Sequence, residues 1–260
     1  LTLTESPMNY ISSVSNAIHG HAYTSVFGAG TSTSEFEFRT GNSMNFLPSG
    51  SIPYQQYILG PTDSLATLLK GYGYETRAFH PGEQTSWQRN IAYPRLGFDS
   101  FKCGEDMDVP QTEEHGYVSD DSDFEQIIWE FEHKDESTPL FLFNVTIQNH
   151  GSYTVEDYPA EVQLADEPGA YPKAEQYLTL ANKTDEAFKK LIDYFSAQTE
   201  PTILVMFGDH QPSVEQEFLD KAYGVTQDEM TMAQYLDKFK VPFIIWANYP
   251  LTGDSTKITS

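Results

Sequence analysis

A short stretch between Gly28 and Phe38 concentrates glycine, hydroxyl and acidic side chains, in the order Gly-Ala-Gly-Thr-Ser-Thr-Ser-Glu-Phe-Glu-Phe. Two glycines this close together let the backbone turn sharply and approach a ligand. The residues that follow are typical of a helix start, because Ser and Thr cap the first backbone amides and Glu suits the first turn. A helix start favours a phosphate or sulfate ester and can present one hydroxyl as a nucleophile. An ordinary capped helix after a glycine turn accounts for the same pattern.

Asp209 and His210 form a second candidate for chemistry, since they closely follow the apolar run 202–206. That run is predicted to be a buried strand. Open α/β sheets bind their ligands at the carboxyl ends of strands, so the pair lies in a favourable place. A carboxylate oxygen and an imidazole nitrogen are donors that suit Zn²⁺ or Mn²⁺.

Two further histidines lie at or beyond the ends of predicted strands, His80 after one and His150 after another. Downstream of His80, an indole and a guanidinium lie two positions apart, at Trp87 and Arg89. Arg can hold a phosphate through two N–H groups at once. Alternatively, Trp87 packs a helix against the protein and Arg89 faces solvent.

The spacing of apolar residues predicts alternating helices and strands. Helices are predicted at 8–18, 63–74, 121–134, 174–198, 214–222 and 231–239, and strands at 19–27, 75–80, 140–147, 202–206 and 241–248. This alternation predicts an α/β fold with a mostly parallel central sheet covered by helices on both faces, in a single domain over residues 1–260. The strand at 140–147 is expected to be central, and the carboxylates of the helix at 121–134 to face solvent.

The composition excludes some functions. The chain has 260 residues and a formal net charge of −23, which argues against nucleic acid as a partner because a phosphate backbone requires a basic surface. Cys103 is the only cysteine, and its acidic neighbours do not favour a reactive thiolate. No apolar run reaches the length of a membrane span. Because the chain begins and stops abruptly, we expect it to be part of a longer protein.

Taken together, the motifs resemble a known family. The runs 25–31, 34–44, 54–58, 143–151 and 205–212 are similar to the extracellular catalytic domain of the lipoteichoic acid synthases and related phosphoglycerol transferases. These proteins belong to the alkaline phosphatase and sulfatase superfamily. The resemblance extends from about Met8 to Tyr249 and implies an alkaline phosphatase/sulfatase-like fold. It also implies a bacterial protein held in the cell membrane by N-terminal helices, with this domain outside the cell.

The resemblance implies a role for each candidate residue. Thr31 would be the nucleophile, and Thr31, Asp209 and His210 would bind a divalent metal, most often Mn²⁺, with Mg²⁺ or Zn²⁺ as alternatives. Contacts with the phosphoglycerol substrate are implied for His80, Trp87, Arg89 and His150.

The implied reaction has two steps. Thr31 attacks the phosphodiester of phosphatidylglycerol, diacylglycerol leaves, and the glycerophosphoryl group stays on Thr31. The terminal hydroxyl of a polyglycerolphosphate polymer or of a glycolipid then takes the group. Metal binding would lower the hydroxyl pKa of Thr31, while Arg89 and His150 stabilise charge on the phosphoryl oxygens. His150 is also a candidate acid or base.

The chain departs from the family at two places. The family's metal-binding glutamate follows an apolar first strand that cannot be identified here, and Glu5 is the only candidate. Some members carry an aspartate two positions after the histidine matched by His80, where this chain has Gly82. Glu83 is the neighbouring acid that could replace it.

Two other functions stay open. One is a hydrolase on the same scaffold, a sulfatase or phosphodiesterase that uses water as acceptor. A sulfatase modifies Cys or Ser within a Cys/Ser-x-Pro-x-Arg run, and the sequence contains no such run. The other is a non-catalytic domain that binds the cell envelope, which the lack of the glutamate would favour.

Overall fold

A computed structural model describes residues 1–251 of the chain. Within this range the chain forms two compact units. Unit 1 contains Leu1–Ala29 and the chain from Asn149 onward, and unit 2 contains Gly30–Gln148. The chain therefore leaves unit 1, builds unit 2 and returns, and no change in composition marks either crossing. The single catalytic domain expected from the sequence stays a prediction.

Helices and strands alternate along the described residues, as the sequence predicts. The helices are α1 (Asn9–Ser13), α2 (Thr31–Thr40), α3 (Pro53–Gln56), α4 (Leu65–Gly71), α5 (Arg89–Arg95), α6 (Asp120–Glu132), α7 (Pro172–Ser196), α8 (Gln216–Tyr223) and α9 (Met232–Asp237). The strands are β1 (Ala17–Tyr23), β2 (Glu75–His80), β3 (Ser100–Cys103), β4 (Glu113–Glu114), β5 (Tyr117–Val118), β6 (Leu140–Asn144), β7 (Ile203–Phe207) and β8 (Lys240–Ala247). Among these residues, none of the helices is both long enough and apolar enough to cross a membrane.

Unit 2 is built on a parallel sheet with strand order β3-β2-β6. Parallel strands need long connections, and α5 and α6 supply them, while α4 packs beside β2. The sequence prediction of an α/β fold with a parallel sheet flanked by helices is confirmed. The middle strand of this sheet is β2, however, and not β6 as expected. The charges of Glu75 and Arg77 pair with each other on β2, so this strand looks less apolar than its position requires.

The core of unit 2 is largely aromatic and joins α2, α3 and α5 to the sheet. Its buried members are Phe36, Tyr54, Ile58, Ala66, Ala78, Ala92, Tyr93, Leu96, Phe98 and Phe143. Tyr93 meets Phe101 edge to face, with ring centroids 4.7 Å apart. Aromatic contacts of this kind add directional constraints to apolar burial, so the core fixes the orientation of α2.

Unit 1 contains an antiparallel sheet with strand order β1-β8-β7. These strands therefore differ from the mostly parallel arrangement expected, because an apolar run indicates burial and carries no information on strand direction. The helix predicted at 8–18 ends at Ser13, since Ile18 already pairs with Ile245 in the sheet. The inward stripe predicted for α7 is confirmed for its buried members Leu180, Ala181, Thr184, Phe188, Leu191, Ile192 and Phe195.

The prediction that the carboxylates of the helix at 121–134 face solvent is wrong for two of them. Asp123 is 0% exposed and Glu130 is 2% exposed. Glu130 pairs with Arg77 at 2.5 Å and with Lys102 at 2.8 Å. The partners come from β2 and β3, so nothing in the sequence of the helix itself reveals that its acids are buried.

Asp123 has no cation among its recorded partners in unit 2. Burial raises the pKa of Asp123 well above its usual range, and the negative charge of Asp120 raises it further. One carboxylate oxygen accepts a hydrogen bond from the side-chain amide of Asn144. The other oxygen, and Oδ1 of Asn144, are buried without a hydrogen-bond partner among the described residues. A proton on Asp123 would provide the donor that these two acceptors lack, so the folded protein favours the neutral acid.

We expect the substitution Asp123→Asn to flatten the dependence of stability on pH. Above the unfolded pKa and below the raised folded pKa, only the native state binds the proton, so the free energy of unfolding falls as pH rises. Asn cannot ionise and keeps an N–H donor at this place. Denaturant unfolding at about pH 5 and pH 8 measures the difference, with the exposed Glu125→Gln on the same helix as control. An unchanged pH slope in Asp123→Asn would contradict the protonated state.

Candidate functional site

Helix α2 begins at Thr31, and Gly30 precedes it with a φ of 104°. Glycine adopts this left-handed conformation without steric cost. No side chain caps this end, and the N–H of Thr33 donates to the carbonyl of Gly30 at 2.8 Å. The prediction of a Ser or Thr cap is therefore wrong. Without a capping side chain, the first amides of the helix can serve an anionic ligand.

Glu35 lies in the second turn of α2 and not in the first turn, as the sequence pattern suggested. Its side chain is 3% exposed, and each carboxylate oxygen has separate partners. Oε1 accepts hydrogen bonds from Nε of Arg89 at 3.1 Å and from Nη2 at 2.6 Å. Oε2 accepts from Arg39, from the hydroxyl of Tyr54 at 2.9 Å and from that of Tyr93 at 2.7 Å. We call these five residues the Glu35 cluster.

The Glu35 cluster keeps its charges although it is buried. Burial alone would raise the pKa of Glu35, but Arg89 and Arg39 outweigh it and lower the pKa to about 2. Burial raises the pKa of Tyr93, so its phenol stays neutral and donates. The guanidinium of Arg39 also lies 4.0 Å from the ring centre of Tyr93 and 4.3 Å from that of Phe143. Such cation–π contacts favour a charged guanidinium in an apolar setting.

His80 ends β2, as predicted, and is buried. Its Nδ1 lies 2.7 Å from the carbonyl oxygen of Val145, so Nδ1 carries the proton and donates. That bond fixes the plane of the ring. A Cβ atom at Gly82 would lie 2.6 Å from Nε2 of His80, so the absence of a side chain at position 82 makes room for the ring.

The segment that carries Trp87 and Arg89 has a strained backbone. Trp87 and Gln88 both adopt left-handed conformations, with φ of 56° and 59°. Conformations of this kind in non-glycine residues persist where surrounding contacts impose them, and they are frequent at functional sites. Trp87 packs against the core of unit 2, but Arg89 is only 2% exposed. The alternative in which Arg89 faces solvent is therefore wrong.

Asp209 and His210 follow β7 in unit 1, and both reach solvent. Nε2 of His210 lies 3.2 Å from Oδ2 of Asp209, while Nδ1 lies 2.9 Å from the carbonyl oxygen of Gln211. A neutral ring that donates from Nδ1 to that carbonyl keeps the lone pair of Nε2 as a metal donor, and metal-bound histidines commonly donate their second nitrogen to a carbonyl. The donor set thus fits a divalent metal.

His150 is exposed in unit 1, in a loop that α7 anchors. The side chain of Asn149 donates to the hydroxyl of Thr184 at 2.8 Å, and the hydroxyl of Tyr153 donates to the carbonyl of Asn149 at 2.8 Å. Tyr153 also meets Tyr177 of α7 edge to face. The structure therefore fixes the backbone on both sides of His150 by contacts with one helix.

The same helix passes near Asp209. Burial raises the pKa of Tyr177 to about 12, and the neighbouring negative charge of Asp209 contributes to that rise. Gly28, close to the point where the chain leaves unit 1, lies beside the loop of Asp209 and His210. Its N–H donates to the carbonyl of Gln211 at 3.0 Å. Unit 1 thus brings the loops of His150 and Asp209 to α7.

The structure places the other predicted residues in unit 2, where Thr31, His80, Trp87 and Arg89 occur. Across the described residues 1–251, no group of three or more His, Cys, Asp and Glu side chains is arranged to hold a metal. Glu5 is exposed and follows a single bridge between Leu3 and Leu164, so it does not end a first strand.

Cys103 is not a nucleophile in this structure. It is buried, and its thiol donates to a carboxylate oxygen of Asp106 at 3.2 Å. Burial raises the pKa of Cys103, and the contact with Asp106 raises it further. A raised pKa suppresses the thiolate, in agreement with the acidic surroundings read from the sequence.

Sequence reasoning missed the Glu35 cluster. Glu35 lies within the run from Gly28 to Phe38, and the pattern of that run predicts it in the first helical turn. The spacing of the sequence does carry a signal for part of the cluster. Glu35 follows Thr31 by four positions and Arg39 follows Glu35 by four more, which puts all three on one helix face. The contributions of Tyr54 and Tyr93 come from other elements and have no local signal.

Comparison with known proteins places these features in context. The sequence model of a family described as Sulfatase matches residues 1–253. The chain is 34% identical over 255 residues to a putative cyclic β-1,2-glucan modification protein of Rhizobium meliloti, covering 95% of this chain. It is 27% identical over 217 residues to a lipoteichoic acid synthase-like protein of Bacillus subtilis, covering 82% of this chain.

Among solved structures, the phosphoglycerol transferase GacH of Streptococcus pyogenes, in complex with sn-glycerol-1-phosphate, is similar with a TM-score of 0.80. The identity is 20% over 97% of this chain, so the likeness concerns the fold. The chain spans 38% of the length of the Rhizobium relative, 34% of the Bacillus relative and 64% of the GacH chain.

We expect Glu35→Gln to lower the free energy of unfolding by about 3 kcal/mol at neutral pH, because both guanidinium groups lose their carboxylate. The folded pKa of about 2 lies below the usual 4.5, so the wild type loses this contribution as pH falls through that window. The difference between the two proteins should therefore shrink towards about pH 2.

Denaturant unfolding at about pH 7 and pH 3 measures both proteins. The exposed Glu125→Gln is the matched control, with an expected change below about 0.5 kcal/mol at either pH. A difference between wild type and Glu35→Gln that stays constant with pH would contradict the charged state of Glu35.

Proposed function

Since this chain belongs to the sulfatase family, we propose that it transfers a glycerophosphate group from phosphatidylglycerol to a hydroxyl acceptor. The observation that carries the proposal is the start of α2. An uncapped helix end begins with the hydroxyl of Thr31, and the Glu35 cluster holds Arg89 beside the same helix. Amide donors, a hydroxyl and a guanidinium suit a phosphodiester that is attacked by an alcohol.

In the proposed first step, Oγ of Thr31 attacks the phosphorus atom and diacylglycerol leaves with a proton. The glycerophosphoryl group then forms an ester with Thr31. Negative charge develops on the phosphoryl oxygens, and Arg89 and the first amides of α2 would stabilise it. In the second step the acceptor hydroxyl displaces Thr31, and a proton returns to Oγ.

The remaining candidate residues would bind the head group and move protons. His80, whose Nδ1 contacts the carbonyl oxygen of Val145, is proposed to contact the head group. Trp87 would present its ring to the glycerol carbons. His150 is exposed, and an imidazole can both donate and accept a proton, so His150 is proposed as the acid or base.

Asp209 and His210 are proposed as metal ligands together with Thr31. A bound divalent cation would supply Lewis-acid chemistry, lowering the pKa of a hydroxyl and polarising an ester. The 3.2 Å between Nε2 of His210 and Oδ2 of Asp209 supports this assignment, because an imidazole nitrogen and a carboxylate oxygen suit such an ion. Mn²⁺ is the proposed ion, with Mg²⁺ and Zn²⁺ as alternatives.

The acceptor is proposed to be a hydroxyl of a cell-envelope polymer. The similarity to a lipoteichoic acid synthase-like protein of Bacillus favours a polyglycerolphosphate or glycolipid acceptor. The Rhizobium protein, with the higher identity, favours a hydroxyl of a glucan. We propose that the reaction takes place at the outer side of a bacterial cell membrane, with the domain held there by other parts of a longer chain.

A hydrolase that uses water as acceptor is the second candidate, and the family match favours it. The sequence contains no Cys/Ser-x-Pro-x-Arg run, and Cys103 is buried with a raised pKa, so a sulfate ester is the less favoured substrate. A phosphodiesterase and a transferase would share the first step and differ only in the second. A non-catalytic domain would lack the first step.

Replacing Thr31 by Ala should lower the release of diacylglycerol from a fluorescent phosphatidylglycerol by at least about 10³-fold in the presence of Mn²⁺, because no hydroxyl is left to attack. The assay uses the domain within its full-length protein. Thr33→Ala, two positions along the same helix, is the control and should stay within about tenfold of wild type.

Adding a polyglycerolphosphate primer or a β-glucan to the same assay separates transferase from hydrolase and one acceptor from the other. Labelled glycerophosphate on either polymer supports the transferase, and free glycerophosphate alone supports the hydrolase. Wild-type protein that leaves the lipid intact would refute the substrate assignment.

Metal binding has a readout that does not need turnover. Asp209→Ala and His210→Ala should each weaken Mn²⁺ binding by at least about tenfold in a calorimetric titration, because each removes one ligand. The exposed His19→Ala of unit 1 is the control and should bind as wild type does. Equal Mn²⁺ affinity in all four proteins would show that Asp209 and His210 do not bind the metal.

A further inference from the structure

The two carboxylate oxygens of Glu35 serve different partners. Oε1 accepts only from Arg89, through Nε at 3.1 Å and Nη2 at 2.6 Å. Oε2 accepts from Arg39 and from the hydroxyls of Tyr54 and Tyr93. One oxygen is thus committed to orienting a single guanidinium, while the other is bound into the aromatic core.

The position of Glu35 on α2 directs Arg89 towards the start of the helix. Glu35 follows Thr31 by four positions, so the two residues share one helix face. Helical side chains lean towards the N-terminus of their helix. The carboxylate of Glu35 therefore leans towards the first turn, and it holds Arg89 on the helix face that also carries Thr31.

The hydrogen bonds of Arg89 leave one edge of its guanidinium unused. Nε and Nη2 face Glu35. Nη1 makes no hydrogen bond within the described residues. It is also not among the fully buried atoms of those residues that lack a partner, so Nη1 is not completely buried. A guanidinium binds phosphate best through two parallel N–H groups. The edge formed by Nη1 and Nη2 is the one left for such a ligand.

The charges of the Glu35 cluster also favour an anion. Two guanidinium groups share one carboxylate, and the tyrosine hydroxyls are neutral donors. The cluster therefore holds one positive charge in excess, in a buried setting where uncompensated charge is costly. Arg39 spreads its charge over aromatic rings. Arg89 makes no such ring contact among the described residues, and a phosphodiester carries the single negative charge that would balance it.

We propose that Glu35 is a positioning residue for the phosphoryl group. It binds one edge of the Arg89 guanidinium, so that the other edge of the guanidinium faces the ester at the start of α2. This proposal rests on the proposed function, since it deepens the recognition step of the same site. Glu35 acts only through Arg89 and does not contact the substrate itself.

The test is a double-mutant cycle on ligand binding, with sn-glycerol 1-phosphate and inorganic phosphate as probes. The proteins are wild type, Glu35→Gln, Arg89→Gln and the double variant. Glu35→Gln should weaken binding about tenfold and Arg89→Gln at least as much. The double variant should bind no worse than Arg89→Gln, because Glu35 acts only through Arg89.

Tyr93→Phe is the matched control. It removes a hydrogen bond to Oε2 of Glu35 and leaves the contact between Oε1 and Arg89 in place. Its binding should stay within about twofold of wild type, even where its melting temperature falls. A loss of binding in Tyr93→Phe as large as that in Glu35→Gln would overturn the proposal, because general loosening of the core would then suffice.

A second variant covers the case in which Glu35→Gln does not fold. Glu35→Asp keeps the charge but draws the carboxylate back by one methylene, so it separates position from charge. We expect about tenfold weaker binding and a higher KM for the lipid, with folding preserved by circular dichroism. Wild-type affinity in Glu35→Asp would show that charge alone matters and would overturn the proposal.

The outcomes distinguish this proposal from the proposed function. If wild type binds sn-glycerol 1-phosphate but leaves the lipid intact, the substrate assignment fails while the cycle still tests Glu35. If lipid turnover is present and the two single losses simply add in the double variant, the positioning role fails and the transferase stands. If wild type binds neither probe, both are overturned.

Discussion

A buried carboxylate shared by two guanidinium groups is the constraint on which unit 2 depends. Glu35 joins α2 to α5 through Arg89 and to α3 through the hydroxyl of Tyr54. Removing one partner of such a group leaves an unpaired buried charge, at a cost of about 3–5 kcal/mol. The three elements are therefore fixed together. Since α2 carries Thr31 and α5 begins with Arg89, the electrostatics that hold the core also set the positions of the two groups proposed to meet the phosphoryl group.

In unit 1, a helix rather than a buried charge holds the candidate site residues in position. Two loops rest on α7, one through the bond from Asn149 to Thr184 and one near Tyr177, beside Asp209. A helix of 25 residues with a continuous buried stripe is a rigid support. The exposed side chains of His150 and Asp209 can thus remain accessible to ligands, because the burial that anchors their loops is done by neighbouring residues.

The parts of the fold that the sequence predicted well have local causes. The strand at β2, the end of that strand at His80 and the start of α2 at Thr31 all follow from periodicity and from glycine. The direction of β7 and β8, the burial of Asp123 and the partners of Glu35 could not be predicted, because each depends on residues far away in the chain. Of the candidate site, the sequence therefore indicated candidate residues, and family resemblance implied their roles. The contacts that hold them in place, above all the hydrogen bonds between Glu35 and Arg89, came only from the structure.

Gly82 has a consequence for how this protein could evolve. The family resemblance implies an aspartate at this place in some members, whereas here even a Cβ atom would lie 2.6 Å from His80 and 2.8 Å from Ile147. The ring of His80 cannot swing aside freely, because the carbonyl of Val145 holds its Nδ1. An aspartate at position 82 would therefore require the ring of His80 or the end of the Ile147 side chain to shift. Position 82 and its two neighbours would have to change together.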